Sequence, residues 1–232
     1  RVTDIIQCEP VRFGYDSTMS KEMLAFIMKK LGMDKKDNAI PGGRYHNFKD
    51  FIGFPNIGEK KLMYEHPRPL NHKYLYHINT SILNVIKQKD ILLHYPYHTY
   101  DHTITLLREA SIDPTVESIK ITLYRVADSS KIANALVNAI KNGKKVTVLV
   151  ELQARFDEQN NIYWANKLQE EGATVIYGVP GLKVHSKLFL ITTRVRGKEI
   201  KYAHIGTGNF NEKTARIYTD FSLLTADKNI TD

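Results

Sequence analysis

Apolar and polar positions follow two different rhythms along the 232 residues, and the change falls near residue 75. Before it, an extended stretch over 1–16 leads into a helix-like run from Ser20 to Leu31. Met23, Leu24, Phe26, Ile27 and Leu31 form the apolar stripe of that run, Ser20 is placed to cap it and Gly32 to end it. Pro41, Gly42, Gly43, Gly53, Pro55, Gly58, Pro67 and Pro69 then predict a turn-rich arm. Residues 1–75 are thus expected to be a small α+β fragment, the end of one domain and a linker, too short to bury a good core alone.

From about Asn79 the pattern becomes regular. Strands are expected over Asp90–Tyr95, Ser118–Val126, Lys145–Leu152 and Thr174–Tyr177. Helices are expected over His98–Ala110, Ser130–Asn142 and Ile162–Glu171, the last two closed by Gly143 and Gly172. Such interleaving implies βαβ units. Val184–Arg194 and Lys198–Ile205 read as a strand pair around Arg196-Gly197, with a final strand over Tyr218–Leu224. Residues 76–232 are therefore expected to be α/β, with a mixed, largely parallel sheet and flanking helices.

Composition narrows the picture slightly. Hydrophobic residues are 42% and charged residues 25%, an ordinary globular balance, and no run of 18 apolar residues predicts a membrane span. Cys8 stands alone, so no intramolecular disulfide can form and a reducing, cytoplasmic setting is expected, with peripheral membrane association left open. The chain opens on Arg1 without Met, as an excised segment would. Thirty-three Lys and Arg against 25 acids give +8, which asks for an anionic partner without naming one.

Candidate chemistry gathers at strand ends, where open α/β sheets place ligands. His185 and Lys187 in GLKVHSKLFLI are two apart on an expected strand and so share a face, with Leu188 and Leu190 opposite. Gly206–Asn211, GTGNFN, follows another strand; its glycines would let amides approach an anion, and Thr207, Asn209 and Asn211 offer hydrogen bonds, although a tight turn explains the run as well. Arg125 and Arg155 end strands in ITLYRVAD and VELQARFDE, where guanidinium forks suit phosphate oxygens and pairing with Asp128 or Asp157 is the plainer alternative. Asp157, Glu158 and Asp220 have no metal-ligand spacing. His94, His98 and His102 stand four apart, but Pro96 breaks the helix that would align them.

HxK followed by a glycine–asparagine turn resembles the phospholipase D superfamily, whose pattern also wants an Asp where this chain has Thr192. LLHYPYHTYDH, IKITLYRVADSSKI, NGKKVTVLVELQARFDE, PGLKVHSKLFLI and YAHIGTGNFNEKTARIYTDFSLLTAD together resemble one branch of it, the polyphosphate kinases, from about Tyr76 to the end. The fold implied is one phospholipase D-like half, the first catalytic domain of that family, and residues 1–75 resemble the end of its head domain.

That resemblance implies an ATP:polyphosphate phosphotransferase. His185 would be the phosphorylated nucleophile with Lys187 in support, Tyr218 would contact ATP, Asn209 would contribute weakly to nucleotide binding, and Arg125 and Arg155 would clamp phosphate beside Mg²⁺ rather than ligate it. ATP or ADP and polyphosphate would be the partners, together with a second catalytic domain and a homo-oligomeric assembly in the full enzyme, and no nucleic acid. The piece alone would be inactive, open-sided, and exposed on an apolar or basic face where the second domain docks; His204 would be a supporting residue. Two other functions compete: a phospholipase D-type phosphodiesterase or nuclease, and a non-catalytic polyanion-binding module.

Overall fold

A computed structural model of the chain describes residues 12–33, 38–44, 51, 55, 57–58, 64–65, 68–76, 81–151 and 158–232. The chain divides into two compact units, Arg1–Glu65 and His66–Asp232. Cys8 and most of the expected turn-rich arm lie outside the described residues.

In the first unit, β1 (Arg12–Asp16) and β2 (Asn38–Gly42) pair in parallel, with α1 (Lys21–Lys30) between them in sequence. Ser20 caps α1 by accepting the Met23 N–H, and Gly32 leaves the helix at φ 71°, both as the sequence predicts. Pro41 and Gly42, expected in a turn, instead pair with Tyr15 and Asp16. A two-stranded sheet leaves each strand one free edge, where a residue without an N–H is tolerated. No side chain of α1 is buried, and Met23 and Phe26 are exposed.

The second unit runs α2 (Ile82–Gln88), β3 (Ile91–Tyr95), α3 (Asp101–Ile112), β4 (Val116–Leu123), α4 (Lys131–Lys141), β5 (Lys145–Val150), α5 (Glu158–Glu170), β6 (Thr174–Tyr177), β7 (Lys187–Val195), β8 (Lys198–Gly206), a short 3-10 turn (Thr214–Arg216), β9 (Asp220–Thr225) and α6 (Lys228–Thr231). The sheet order is β3-β9-β8-β7-β4-β5-β6. Only β4–β5 and β5–β6 pair in parallel; the other four pairings are antiparallel, so the sheet is mixed rather than largely parallel. The alternation of strands and helices did carry direction. Following the pairings, β3, β8, β4, β5 and β6 all point one way, but reversed β7 and β9 stand between them. Adjacency, not direction, escaped the pattern.

This register sets up one functional edge. Tyr95 ends β3 opposite Asp220, which opens β9; Gly206 ends β8 opposite Lys187, which opens β7; Leu123 ends β4 opposite Val150 of β5. The exits of β3, β8 and β4 therefore each lie beside the entry of a reversed strand, and the β5 and β6 exits continue the same edge in parallel. The core beneath is built from Leu93, Leu107, Ile119, Leu136, Val148, Leu168, Phe189 and Ile191, all essentially inaccessible. On the sheet's other face Leu92, Leu188, Ile205 and Phe221 remain substantially exposed.

Candidate functional site at the β4–β7 seam

His185 sits in the extended approach to β7, two residues ahead of its first strand residue. Its ring meets that of Tyr124 edge-on, with centroids 4.9 Å apart. Tyr124 follows the end of β4, and three basic groups stand over its ring: Lys187 Nζ at 5.2 Å, Lys183 Nζ at 5.7 Å and the Arg125 guanidinium at 5.7 Å. A ring face attracts cations, so Tyr124 lets like charges gather that would otherwise separate.

The sequence expects His185 and Lys187 on one strand face, opposite Leu188 and Leu190. β7 begins later than that, and its inward row is Lys187, Phe189 and Ile191. Lys187 is thus a core-row lysine, 5% exposed, while the His185 side chain is exposed. The Lys187 ammonium donates to the His185 carbonyl. Burial lowers the Lys187 pKa, with the nearby Asp220 carboxylate opposing. The His185 pKa is also lowered, first by partial desolvation and then by Lys187, Lys183 and Arg125. A histidine in that field favours its neutral form, with a lone pair available for attack.

The β4 exit is held from α5. Asn161, almost wholly buried, donates its amide to Tyr124 O at 2.6 Å and Glu151 O at 2.9 Å, and accepts the Val126 N–H at 3.3 Å. Trp164 Nε1 donates to Ala127 O at 3.0 Å. Tyr124, Lys183, Asn161, Glu151 and Thr122 were not singled out from sequence. A carboxylate closing the apolar strand KVTVLVE was the available signal for Glu151.

The glycine turn is built differently from a bare anion cradle. The Thr207 hydroxyl donates to Asp220 at 2.7 Å and accepts the Phe221 N–H, while Asn211 Oδ1 accepts the N–H groups of Lys213 and Thr214. A Cβ on Gly208 would lie 2.4 Å from Asp220 Oδ2, so close approach of that carboxylate is what requires glycine here. The Asn209 amide oxygen is buried beside Tyr100 and His204 at a small internal cavity. His204 is fully buried, stacked on Phe189 at 4.7 Å, and burial pushes its pKa down to about 3.

Tyr218 is 63% exposed and lies two residues before β9, at the same edge. Its neighbours Arg216, Ile217 and Thr219 line a groove of about 1010 Å³, which Lys131, Lys213 and Tyr97 also line. Arg155 and Asp157 lie outside the described residues. His94, His98 and His102 share no helix. His98 Nδ1 accepts the His94 N–H and His102 Nε2 accepts the His72 N–H, so these nitrogens serve main-chain donors.

Among the described residues no group of three or more His, Cys, Asp and Glu could hold a metal ion. Around His185 the side chains are basic, which does not fit a resident Mg²⁺.

An exposed histidine ringed by basic groups at the edge of a mixed α/β sheet defines a candidate phosphate-handling domain. Comparison with known proteins makes that specific. The model of the family described as "Polyphosphate kinase C-terminal domain 1" matches residues 81–232. The chain is 58% identical over 223 residues to a polyphosphate kinase of Vibrio parahaemolyticus, covering 96% of this chain and 32% of that protein. It is 52% identical over 228 residues to that of Escherichia coli, covering 98% and 33%. The crystal structure of polyphosphate kinase from Porphyromonas gingivalis superposes with a TM-score of 0.81 at 42% identity, over 97% of this chain and 34% of that one. The chain belongs to the polyphosphate kinase family, and it spans about a third of the length of these relatives.

Proposed function

We propose that this chain carries the phosphohistidine site of an ATP:polyphosphate phosphotransferase. One observation carries the reading: the exposed His185 imidazole, its pKa lowered, lies among Lys183, Lys187 and Arg125 around Tyr124 in a chain of this family. In the forward step one His185 ring nitrogen attacks the γ-phosphorus of ATP in line. An N–P bond forms, the bond to the β,γ-bridging oxygen breaks, and ADP leaves with its electron pair. The proton on the other ring nitrogen passes to solvent. In the second step the terminal oxygen of a polyphosphate chain attacks the same phosphorus, and the ring recovers its electron pair and proton.

Phosphoryl transfer involves little covalent work by the protein and depends on positioning and charge neutralisation. Lys183, Lys187 and Arg125 supply the charge; Arg155 is assigned the same role. Tyr218, exposed beside the groove, is the group we assign to ATP, with Asn209 a minor contributor. A basic surface suits a polyanionic product. Catalysis would take place in the cytoplasm, where ATP is made and a lone cysteine stays reduced. No helix among the described residues is long and apolar enough to cross a membrane.

The decisive experiment is ³²P transfer from γ-labelled ATP to the protein at its natural length. Acid-labile, base-stable label on His185 is expected, with none in His185→Ala and with folding stability changed by no more than about 1 kcal/mol, since an exposed side chain is removed. Label persisting on histidine in His185→Ala would overturn the assignment, and so would a parent protein that takes no label from ATP but hydrolyses a phosphodiester. We further infer that the 232-residue piece makes no polyphosphate by itself, since a site of this type is completed by a second domain. Steady synthesis by the piece at the rate of the longer protein would refute that.

A further inference from the structure

The His185 side chain is open, but the main chain on both sides of it is gripped. The Val184 N–H donates to the Glu151 carboxylate at 2.8 Å. The Thr122 hydroxyl donates to Ser186 O at 2.8 Å and accepts the Leu188 N–H at 3.1 Å. Lys187 holds the carbonyl of His185 itself. Peptide groups just before and just after the histidine are therefore tied to side chains of β4 and of the β5 exit.

Both gripping side chains are costly to place here. Glu151 is 5% exposed and Thr122 is 7% exposed. A carboxylate withdrawn from water is a large penalty unless it is well bonded, and an apolar residue at such a strand end would be more stable. Glu151 is itself fixed, since its N–H donates to Leu123 O at 2.9 Å and its carbonyl accepts from Asn161. The grip thus runs from α5 through the β5 exit to the residue preceding His185. Its rigidity matches what in-line attack needs, because about 1 Å of misplacement can cost on the order of 100-fold in rate.

We propose that Glu151 and Thr122 are positioning residues that fix the approach of His185 to phosphorus, a role that rests on His185 being the nucleophile. Neither touches substrate. Glu151 acts as an acceptor for the Val184 N–H, and Thr122 as the two-way clasp on Ser186 and Leu188.

The test is single-turnover labelling of His185 from γ-³²P ATP in the protein at its natural length. Rate and ATP half-saturation are followed separately in Glu151→Leu, Glu151→Gln, Thr122→Val and Thr122→Ser. Glu151→Leu, similar in size but unable to accept, should label about 100-fold more slowly with half-saturation changed less than about threefold. Glu151→Gln keeps an acceptor oxygen and should recover to within about tenfold of the parent. Thr122→Val should slow labelling about tenfold, and Thr122→Ser should restore it. A Leu variant as fast as the parent, a Gln variant as slow as Leu, or half-saturation rising in step with the loss of rate would each overturn the proposal. If Glu151→Leu does not fold, the Thr122 pair decides by the same criteria. Parent protein that labels no histidine would defeat the nucleophile reading and this inference with it, whereas normal parent labelling with unaffected variants defeats the inference alone.

Discussion

The two ends of the β4–β7 seam use charge in opposite ways. At the far end signs alternate: Arg194 bonds Glu117 at 2.7 Å and approaches Glu199 at 3.5 Å, while Lys201 bridges Glu199 at 3.6 Å and Asp232 at 2.9 Å. At the near end Lys183, Lys187 and Arg125 crowd one tyrosine and one histidine, and among the described residues neither Lys183 nor Lys187 forms an ion pair. Same-sign crowding opposes folding. A fold that keeps it in one place, while neutralising charge 20 Å or so away along the same strands (about 3.3 Å per residue over six residues), reserves that place for an anion. Alternating signs decorate a surface; like signs gathered in one place prepare a site.

The largest effect expected anywhere on the seam belongs to neither end. Phe189 lies on the buried row of β7 between them, 1% exposed, and packs on His204 and Phe210. Phe189→Ala should cost about 3–5 kcal/mol in urea unfolding, the range for truncating a buried aromatic. A loss below about 1 kcal/mol would mean that the seam is held by its ends after all.

Lys187→Met sharpens the contrast next. Removing a buried charge while keeping the length of the side chain should leave stability unchanged or raised. Labelling of His185 should fall about 100-fold or more, the scale of losing one charge-stabilising group. Thermal melts together with ³²P uptake check both halves. A Lys187→Met protein that melts well below the parent and still labels normally would make Lys187 structural.

The two ends should also titrate in different windows. The His185 pKa is lowered from 6.5, so its imidazole is neutral at pH 7 and protonates only as pH falls through the lowered value; labelling should hold above pH 6.5 and decline below it. The Glu117 pKa is lowered from 4.5, first by its hydrogen bond from Arg194, so its contribution to stability is present above 4.5 and is lost as pH falls through its folded value. Labelling should therefore fall as pH drops through the lowered His185 value, while the pair at the far end persists down to its own lower window. A labelling rate that falls only below pH 4.5 would assign the titration to a carboxylate instead.

Much of this was legible in the sequence. β6 has the expected bounds, and α4 lies inside the expected Ser130–Asn142, because apolar periodicity is a local signal. The hairpin of β7 and β8 was marked by Arg196-Gly197, both at positive φ. What escaped was non-local. Nothing in residues 90–123 tells that β9, β8 and β7 will insert between β3 and β4. Val184–Ser186 read as strand because the run is apolar-to-polar in the right rhythm, yet their peptide groups are bonded by Glu151 and Thr122, more than thirty and sixty residues earlier. His185, Lys187 and Arg125 could be picked out by type; the ring that assembles them, Tyr124, could not, since a tyrosine ending a strand is ordinary sheet material.

The smallest effect should come from the best-looking ion pair. The Arg194–Glu117 contact has short geometry, but the two side chains are 46% and 43% exposed, and solvent-exposed pairs contribute little because water screens them and ordering two long side chains costs entropy. Arg194→Ala should lower the thermal midpoint slightly at low salt, and the difference should vanish in about 1 M salt, where the screening length is only about 3 Å. His185 labelling should not change, since the pair lies at the opposite end of β7 from the histidine. The outcome that would break the comparison is loss of labelling in Arg194→Ala with the midpoint intact. That would mean the mixed-sign end tunes the basic one through the strands between them, and the seam would have to be treated as one electrostatic unit.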